Sequence, residues 1–160
     1  MNTTAKLSTC QVHNRWMIRR DLAEVLAIED ASYEFPWSED DFIRCLRQRN
    51  TIGMVAEVNE RVAGFMLYEM HRQRLHVLNF AVQPAMRRRG VGAAMVAKLV
   101  SKLNQNRNRI MLEVRESNLT AQLFFRSQGF AATATLRDFY EDTDEAAYLM
   151  QYRVGSEVRA

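Results

Sequence analysis

The chain has 160 residues, of which 48% are hydrophobic and 26% are charged, and this composition excludes disordered and fibrous proteins. The length fits one domain, which can bury a core without metal ions or disulfides. The formal charge of +3 is small, so a polyanionic partner would require a focused basic patch.

The N-terminal region predicts a strand and a helix behind a polar lead-in over residues 1–14. The segment 12–19 can form the first strand. Asp21 is a favoured N-cap residue, and the apolar residues that follow it at helical spacing predict a helix over 22–33.

A second helix and a hairpin come next in the chain. The sequence Phe35-Pro36-Trp37 ends the first helix, because a residue before proline avoids the α conformation. Residues 38–41 have the pattern of a capping box, so a short second helix begins at once. The segments 53–58 and 62–70 then predict two strands joined by a polar turn.

The second half of the chain alternates strands and helices. A strand over 74–82 is closed by Pro84, and 92–103 is helical because its apolar residues recur at helical spacing. The segment 109–115 is a strand with mostly apolar residues on both faces, which is typical of a central position in a sheet.

The last helix and a pair of strands complete the predicted elements. Ser117-Asn118 caps a helix that Gly129 terminates in the left-handed conformation. The segments 130–140 and 146–154, separated by the acidic run 141–145, predict a closing antiparallel pair.

Neither the cysteines nor the histidines form a binding motif in the sequence. Cys10 and Cys45 have no CxxC spacing, and the three histidines have no metal-ligand spacing: His13, His71 and His76. No apolar run approaches the roughly 20 residues of a membrane-spanning helix, and the N-terminus lacks a signal-peptide pattern. We therefore expect a cytoplasmic protein with no metal site and no membrane partner.

The segment 81–100 places a short basic loop between a strand and a helix. The loop contains Arg87, Arg88 and Arg89 and runs into the sequence Gly90-Val91-Gly92. Unpaired N–H groups of the first helical turn would therefore lie beside arginines at the positive end of a helix dipole. Such an arrangement binds phosphate.

Spacing excludes two nucleotide-binding motifs in this segment. A dinucleotide fingerprint needs a third glycine where the chain has Met95, and a P-loop needs a Gly-Lys-Ser/Thr sequence that the segment lacks. Two other interpretations stay open: the glycines serve only a tight turn and close packing, or the loop contacts nucleic acid. The second is disfavoured because no stacking aromatic residues interleave with the arginines.

These residues resemble a known family. The sequence Pro84-x-x-Arg87-Arg88-x-Gly90-Val91-Gly92 is similar to the Arg/Gln-x-x-Gly-x-Gly/Ala segment of the GNAT (GCN5-related) N-acetyltransferases. Within that superfamily, four further segments resemble the RimI family of ribosomal-protein-alanine N-acetyltransferases: 35–42, 78–84, 112–130 and 137–140. The resemblance spans about residues 16–153.

The resemblance implies the GNAT fold, which is of the α/β (α+β) class. We expect one domain over 15–155 followed by a tail over 156–160. The fold has a mixed, mostly antiparallel central sheet of six to seven strands with helices on both faces.

The resemblance also implies acetyl-CoA as co-substrate. Three residues would run along the pantetheine arm with their backbone groups: Phe80, Ala81 and Val82. Six residues would hold the pyrophosphate: Arg87, Arg88, Arg89, Gly90, Val91 and Gly92. Asn118 would hydrogen-bond the pantetheine or the acetyl end, and the N-cap role described above is compatible with this; Phe125 would lie in the same site.

An acidic residue on an otherwise apolar strand is the candidate base. Alternation along 109–115 puts Glu113 on one face together with Met111 and Arg115. A buried carboxylate is costly unless it has a partner. The resemblance implies that Glu113 is the general base, acting through water; the alternative is an ion pair with Arg115 or another arginine.

The chain departs from the RimI family at Phe125, where those enzymes have a tyrosine that is proposed to protonate the departing CoA thiolate. Phenylalanine cannot donate a proton, and a positioned acid contributes about 10² to 10⁴ in rate. Either water or another hydroxyl replaces it, with Tyr140 and Tyr33 as candidates, or the domain binds acyl-CoA and turns over slowly.

The acceptor that the resemblance implies is the N-terminal α-amine of a protein, in particular a ribosomal protein. Five residues would flank the peptide: Tyr33, Phe35, Pro36, Trp37 and Tyr140. An α-amine has a pKa of about 7.7–8.0, against about 10.4 for lysine, so modest help from one carboxylate is enough. Core and loop packing is the alternative role for Phe35 and Trp37.

Three further functions remain as alternatives. A GNAT enzyme acting on a small amine, such as an antibiotic or a polyamine, would use the same scaffold, and the acidic run 141–145 would suit a polycation. An acyl-CoA-binding domain without catalysis is a second alternative, because Phe125 cannot act as the proton donor. A nucleic-acid-binding module is the least favoured, and we expect a monomer or a weak dimer.

Overall fold

Residues 11–155 are described by the computed structural model and form seven strands and four α-helices. The strands are β1 (His13–Trp16), β2 (Thr51–Val58), β3 (Arg61–Met70), β4 (Arg74–Val82), β5 (Arg109–Arg115), β6 (Ala131–Leu136) and β7 (Ala147–Arg153). The helices are α1 (Leu22–Ser32), α2 (Glu39–Leu46), α3 (Val91–Val100) and α4 (Leu119–Ser127). Short 3-10 turns at Arg19–Asp21 and Pro84–Met86 lie before α1 and α3.

One sheet contains all seven strands, in the order β1-β2-β3-β4-β5-β7-β6. Every neighbouring pair is antiparallel except β4 with β5, which is parallel. The expected mixed and mostly antiparallel sheet is confirmed, at the upper limit of the predicted strand number.

The parallel strands β4 and β5 pair over a short distance and then separate. Residues 74–76 pair with residues 109–111, and the remaining residues of the two strands are not paired with each other. On their outer sides β4 stays paired with β3, and β5 stays paired with β7. The sheet therefore opens between the carboxyl ends of β4 and β5.

A β-bulge in β4 lies where the strands separate. Leu78 has no partner on β3, because its neighbours Val77 and Asn79 pair with consecutive residues of that strand. The extra residue reverses the facing of the side chains. Val77 lies in the core beneath α3 and α4, and Phe80 rather than Asn79 packs against that core after the bulge. Asn79 faces the opposite side, where it donates a hydrogen bond to Glu29 of α1.

Apolar side chains cover both faces of the sheet. One core lies under α3 and α4 and includes Met95, Leu99 and Phe125. The other core lies under α1 and α2 and includes Val25 and Phe42. Burying a side chain of this size contributes about 1.5–3 kcal/mol, so the helices are held on the sheet mainly by these contacts.

Two local predictions are confirmed at helix ends. Ser38 and Asp41 form the capping box, since each backbone N–H donates to the other's side-chain oxygen. Gly129 has a φ of 93°, and the N–H of Phe130 behind it donates to the carbonyl of Phe125 at 3.0 Å. Gly129 therefore ends α4 in the left-handed conformation, as predicted.

One local prediction is wrong. Asp21 is at the N-cap position of α1, but its carboxylate makes no capping hydrogen bond. It accepts hydrogen bonds instead from both terminal nitrogens of Arg15 on β1, at 2.7 and 2.8 Å, and from the N–H of Ile18. A bidentate ion pair with a guanidinium competes successfully with a neutral capping bond.

The ends of the predicted domain are only partly described. Strand β1 begins at His13, so it includes the last residues of the segment expected to be a lead-in. Residues 1–10 and 156–160 lie outside the described residues. Among the helices of residues 11–155, none has the length and hydropathy of a membrane-spanning segment.

Candidate active site

A cleft of about 970 Å³ lies between the separated ends of β4 and β5. Its walls come from those two strands, from the first turn of α3, from α4 and from the end of α1. Because the two strands do not pair along the cleft, backbone groups that would bond within a continuous sheet face this space. Both the start of α3 and the loops after α1 and β6 contribute to the lining of the cleft.

The start of α3 fits an anion. Gly90 is the N-cap residue with a φ of 85°, and no side chain among the described residues caps the helix. The first intrahelical bond is donated by the N–H of Ala94, so the N–H groups of Val91, Gly92 and Ala93 have no intrahelical acceptor. All three residues line the cleft. Their free N–H groups and the helix dipole favour a phosphate here.

The two glycines have separate structural roles. Gly90 provides the left-handed N-cap conformation, which other residues rarely adopt. At Gly92 a Cβ atom would lie 3.0 Å from the Phe124 ring on α4 and 3.4 Å from the Phe80 ring. The glycines thus serve a turn and close packing, and this role leaves the backbone N–H groups exposed to the cleft.

The three arginines of the basic loop differ in their positions. Arg87 donates from Nε to the carbonyl of Val82 and from a terminal nitrogen to Ser32 Oγ, both at 3.3 Å, which ties the loop to α1. Arg88 lines the cleft with a φ of 61°, an unusual conformation for a residue other than glycine. Arg89 lies outside the lining of the cleft.

The predicted pantetheine segment lies along the cleft, but Phe80 already uses its backbone groups within the protein. Its N–H donates to Asn79 Oδ1 at 2.8 Å, and its carbonyl accepts a hydrogen bond from the Tyr33 hydroxyl. Burial raises the pKa of Tyr33, so the phenol stays protonated as a donor. The Val82 carbonyl likewise accepts a hydrogen bond from Arg87, so the carbonyls of Phe80 and Val82 are both engaged within the protein.

Glu113 has a partner that the sequence did not predict. Both of its carboxylate oxygens lie near Nε2 of His76 on β4, at 2.7 and 3.0 Å, and the side chain is 16% exposed. This hydrogen bond raises the pKa of His76 above its usual value, against the opposing effect of burial. The alternative of an ion pair between Glu113 and an arginine is wrong for the described residues, because Arg115 is engaged elsewhere.

Arg115 holds together the part of the cleft that is lined by the loops after α1 and β6. Its guanidinium pairs with Asp142 at 2.6 Å and with Glu145 at 3.1 Å. The same group lies 3.7 Å from the centre of the Tyr140 ring and 5.2 Å from that of Phe35. These contacts hold the loop between β6 and β7 against the loop after α1. Burial raises the pKa of Tyr140 to about 12, so its hydroxyl is protonated at neutral pH.

The loop after α1 contributes aromatic side chains to the same part of the cleft. Tyr33, Phe35 and Trp37 line the cleft, whereas Pro36 lies outside its lining. Phe35 is 42% exposed. Trp37 also packs its ring against Phe42 at 5.3 Å, so the packing role anticipated for it is present together with its place in the cleft.

The sequence matches a known protein family over most of its length. Residues 22–130 match the acetyltransferase (GNAT) family. The chain is 30% identical over 145 residues to the ribosomal protein bS18-alanine N-acetyltransferase of Escherichia coli strain K12, with 90% of each protein covered. The chain belongs to the GNAT acetyltransferase family.

Solved structures of GNAT proteins agree with this assignment. The ribosomal-protein-S18-alanine N-acetyltransferase from Escherichia coli has a TM-score of 0.80 at 26% identity, covering 94% of this chain and 100% of that one. Ard1 from Thermoplasma volcanium has a TM-score of 0.80 at 28% identity, covering 89% and 97%. Arabidopsis thaliana NAA60, solved with acetyl-CoA, shares the fold with a TM-score of 0.76 at 16% identity, covering 90% and 100%. This GNAT chain is an acyltransferase of the N-acetyltransferase type.

Phe125 on α4 and Asn118 at its N-cap, both predicted site residues, have structural roles. Phe125 is 5% exposed, and its ring lies 5.1 to 5.5 Å from those of Phe80, Phe124 and Phe130. Asn118 accepts the N–H of Ala121 at 3.1 Å, which confirms its N-cap role. Within residues 11–155 its side-chain nitrogen has no hydrogen-bond partner, so it can still donate into the cleft.

Glu29 is a buried acid of the cleft wall that the sequence did not indicate as a site residue. Its side chain is on α1 and is 1% exposed, and it accepts hydrogen bonds from Asn79 Nδ2 at 2.9 Å and from the Trp37 N–H at 3.0 Å. Burial raises the pKa of Glu29 above its usual value of 4.5, despite these hydrogen bonds. Through these hydrogen bonds the carboxylate connects α1 to the bulge of β4 and to the loop after α1.

The raised pKa of Glu29 predicts a pH-dependent stability. A carboxyl whose pKa is raised on folding stabilises the fold fully below its unfolded pKa, near 4.5, and loses that contribution as the pH rises through the folded value. The free energy of unfolding of the wild type, minus that of Glu29→Gln, should therefore fall between pH 4 and pH 8 in urea titrations. Glu39→Gln, at an exposed position on α2, is the matched control for losing one negative charge. A difference that stays constant with pH would contradict the expected role of burial.

Proposed function

We propose that this enzyme transfers the acetyl group of acetyl-CoA to the α-amine at a protein N-terminus, with a ribosomal protein as the acceptor. One observation supports the proposal above all. The open N-terminus of α3, the aromatic side chains of the loops after α1 and β6, and the carboxylate of Glu113 all line a single cleft. The name of the Escherichia coli relative, a ribosomal protein bS18-alanine N-acetyltransferase, supports the acceptor class.

The residues at the α3 end fit the CoA moiety. The N–H groups from Val91 to Ala93 would bind the pyrophosphate, with Arg88 adding positive charge and Arg87 holding the loop in place through Ser32. Backbone groups of Ala81 and Val82 would accompany the pantetheine arm, and Asn118 would donate its free amide hydrogens. When bound, acetyl-CoA supplies an activated thioester carbonyl.

Glu113 is the proposed general base. It accepts, directly or through water, the proton that the amine loses as the new C–N bond forms. His76 holds the carboxylate by donating from Nε2. In the other neutral tautomer, with the proton on Nδ1, Nε2 can take the proton from Glu113 and pass it onward. An α-amine is partly neutral at physiological pH, so a single carboxylate supported by one imidazole suits this acceptor.

Tyr140 is the proposed acid. Its phenol is protonated at neutral pH and lines the cleft with Glu113, so it can donate a proton to sulfur as the C–S bond breaks. Tyr33 is less suited to this role, because its hydroxyl already donates to the Phe80 carbonyl. An N–H in the unpaired part of β4 near Val82 would stabilise the oxyanion.

The arrangement of charges favours a peptide over a small polycation. The acidic run 141–145 was the feature that kept a polyamine acceptor possible, but Asp142 and Glu145 are both paired with Arg115. The exposed ring of Phe35 and the half-buried ring of Tyr140 would form the walls of the proposed acceptor site, where the loops after α1 and β6 line the cleft. Aromatic walls with few free charges suit the first side chains of a peptide with a small N-terminal residue.

The acceptor class can be tested with a matched peptide panel. Peptides with a free N-terminal alanine should be acetylated, with the product identified by mass. The same peptides with a blocked N-terminus and a free lysine, or spermidine, should react at least about 10-fold more slowly. Preference for lysine or spermidine would overturn the proposal. Absence of transfer to any acceptor, with acetyl-CoA still raising Tm, would leave the acyl-CoA-binding alternative that Phe125 motivates.

Removing the carboxylate should lower turnover more than it changes binding. We expect Glu113→Gln to reduce kcat by about 10² or more, because the amide cannot accept the proton, while the KM for acetyl-CoA changes little. His76→Asn should produce a smaller loss. Glu116→Gln, an exposed change just after β5, is the control and should retain the wild-type kcat. A Glu113→Gln enzyme with normal kcat would exclude the carboxylate as base.

The role of Tyr140 can be tested by removing its hydroxyl and then introducing a phenol at position 125. Tyr140→Phe should lower kcat by about 10-fold or more, through loss of the proton donor. Phe125→Tyr in the same chain should restore part of that loss, because it returns a phenol to the opposite wall. Phe139→Leu, at the exposed neighbour of Tyr140, is the control for disturbing the loop. If Tyr140→Phe raises KM for the peptide without changing kcat, the residue binds the acceptor and does not act as the acid.

A further inference from the structure

Glu69, His71 and His76 form a cluster beside the Glu113–His76 pair. Glu69 on β3 and His76 on β4 are direct cross-strand partners, and His71 lies in the tight turn between the two strands. The turn is closed by the His71 N–H, which donates to the Arg74 carbonyl at 2.9 Å. All three side chains are held by adjacent strands or by the turn that joins them.

One carboxylate oxygen in the cluster lies between two imidazole rings. Glu69 Oε1 is 3.5 Å from His71 Nε2 and 3.3 Å from His76 Nδ1. One ligand atom from each of the three residues lies within 4.8 Å of the others. In a tetrahedral zinc site with bonds of about 2.0–2.1 Å, neighbouring ligand atoms are separated by about 3.3–3.4 Å. Two of the separations already have this size.

His76 carries a further feature that is typical of a metal ligand. Its Nδ1 faces the cluster, while its Nε2 lies 2.7 Å from Glu113. Histidines that bind metals almost always donate their other ring N–H to a carboxylate, a backbone carbonyl or water, which fixes the tautomer and the ring orientation. A neutral imidazole has only one N–H and cannot donate to carboxylates on both sides, so the Nδ1 side needs either a second proton or another cation.

We propose that Glu69, His71 and His76 bind a divalent transition-metal ion, with Zn²⁺ as the preferred ion. Two imidazole nitrogens and one carboxylate oxygen suit Zn²⁺ and its neighbours rather than Mg²⁺ or Ca²⁺, which prefer oxygen ligands. Three protein ligands leave a position for water. The side chains are 21% to 33% exposed, so an ion can reach them from solvent.

The metal would act on the enzyme through His76, an effect that rests on the proposed function. An ion on Nδ1 fixes the proton on Nε2, where it donates to Glu113. The carboxylate then has a permanent hydrogen-bond donor, and His76 can no longer pass a proton onward. Zn²⁺ should therefore inhibit acetyl transfer.

Binding can be measured without any substrate. The tag-free full chain is titrated with Zn²⁺ against a chromophoric chelator, and Co²⁺ is used as a spectroscopic probe of the ligand geometry. We expect one ion per chain. His71→Ala and Glu69→Gln should each weaken binding by at least about 10-fold, since removal of even an outer-shell partner costs about 10- to 100-fold.

Two matched variants control for other ligands. His13→Ala removes a histidine from β1, outside the cluster, and Cys45→Ser removes the half-buried thiol of α2. Both should bind Zn²⁺ like the wild type. Wild-type affinity in His71→Ala, loss of affinity in Cys45→Ser, or no saturable binding would each overturn the metal site.

Inhibition is tested separately from binding. The ratio of the transfer rates with and without Zn²⁺ is compared between the wild type and His71→Ala, with the acetylated peptide measured by mass because free CoA also binds zinc. The ratio should be well below one in the wild type and close to one in His71→Ala. Equal ratios would contradict the coupling through His76. If no acceptor is acetylated, the proposed function fails while the binding titration still decides on the metal site.

Discussion

The separation of β4 from β5 is the constraint on which the rest of the structure depends. The two strands pair only over residues 74–76 and 109–111, while on its other side β5 remains paired with β7, and β4 remains paired with β3 except at the Leu78 bulge. In a continuous sheet the backbone groups of β4 would form hydrogen bonds with β5, and the cleft between the two strands would be closed. The bulge at Leu78 turns Phe80 toward α3 and α4 and turns Asn79 toward α1, so that both walls of the cleft are packed although the strands have parted.

Among the half-buried charged groups of the described residues, Glu113 pairs with the imidazole of His76 and not with an arginine. Arg115 is two residues away on the same face of β5, but Asp142 and Glu145 take its guanidinium. His76 on β4 pairs with Glu113 instead. The acidic loop after β6 thus keeps the guanidinium of Arg115 from pairing with Glu113 and holds that loop against the loop after α1.

The sequence predicted individual elements well because their signals are local. The capping box at Ser38, the left-handed Gly129 and the alternation that places Glu113 on one face of β5 each depend on a few adjacent residues. The partner of Glu113 depends on strand order and on register between segments 37 residues apart, and the bulge in β4 further obscures which face each residue occupies. For the same reason His71 and His76 show no ligand spacing along the chain, although the turn between β3 and β4 brings them to Glu69. Asp21 was misassigned because its partner, Arg15, lies on another element.

In the proposed mechanism Phe125 links the packing of the core to the direction of proton transfer. Its ring joins those of Phe80, Phe124 and Phe130, so the α4 wall of the cleft continues the core beneath α3 and α4. A wall of hydrocarbon excludes water from one side of the reacting atoms and offers no proton there. Proton donors and acceptors are then confined to the opposite side, where Glu113, His76 and Tyr140 lie. Under the proposed mechanism both proton transfers take place on the acceptor side, and the loop held by Arg115 controls both of them.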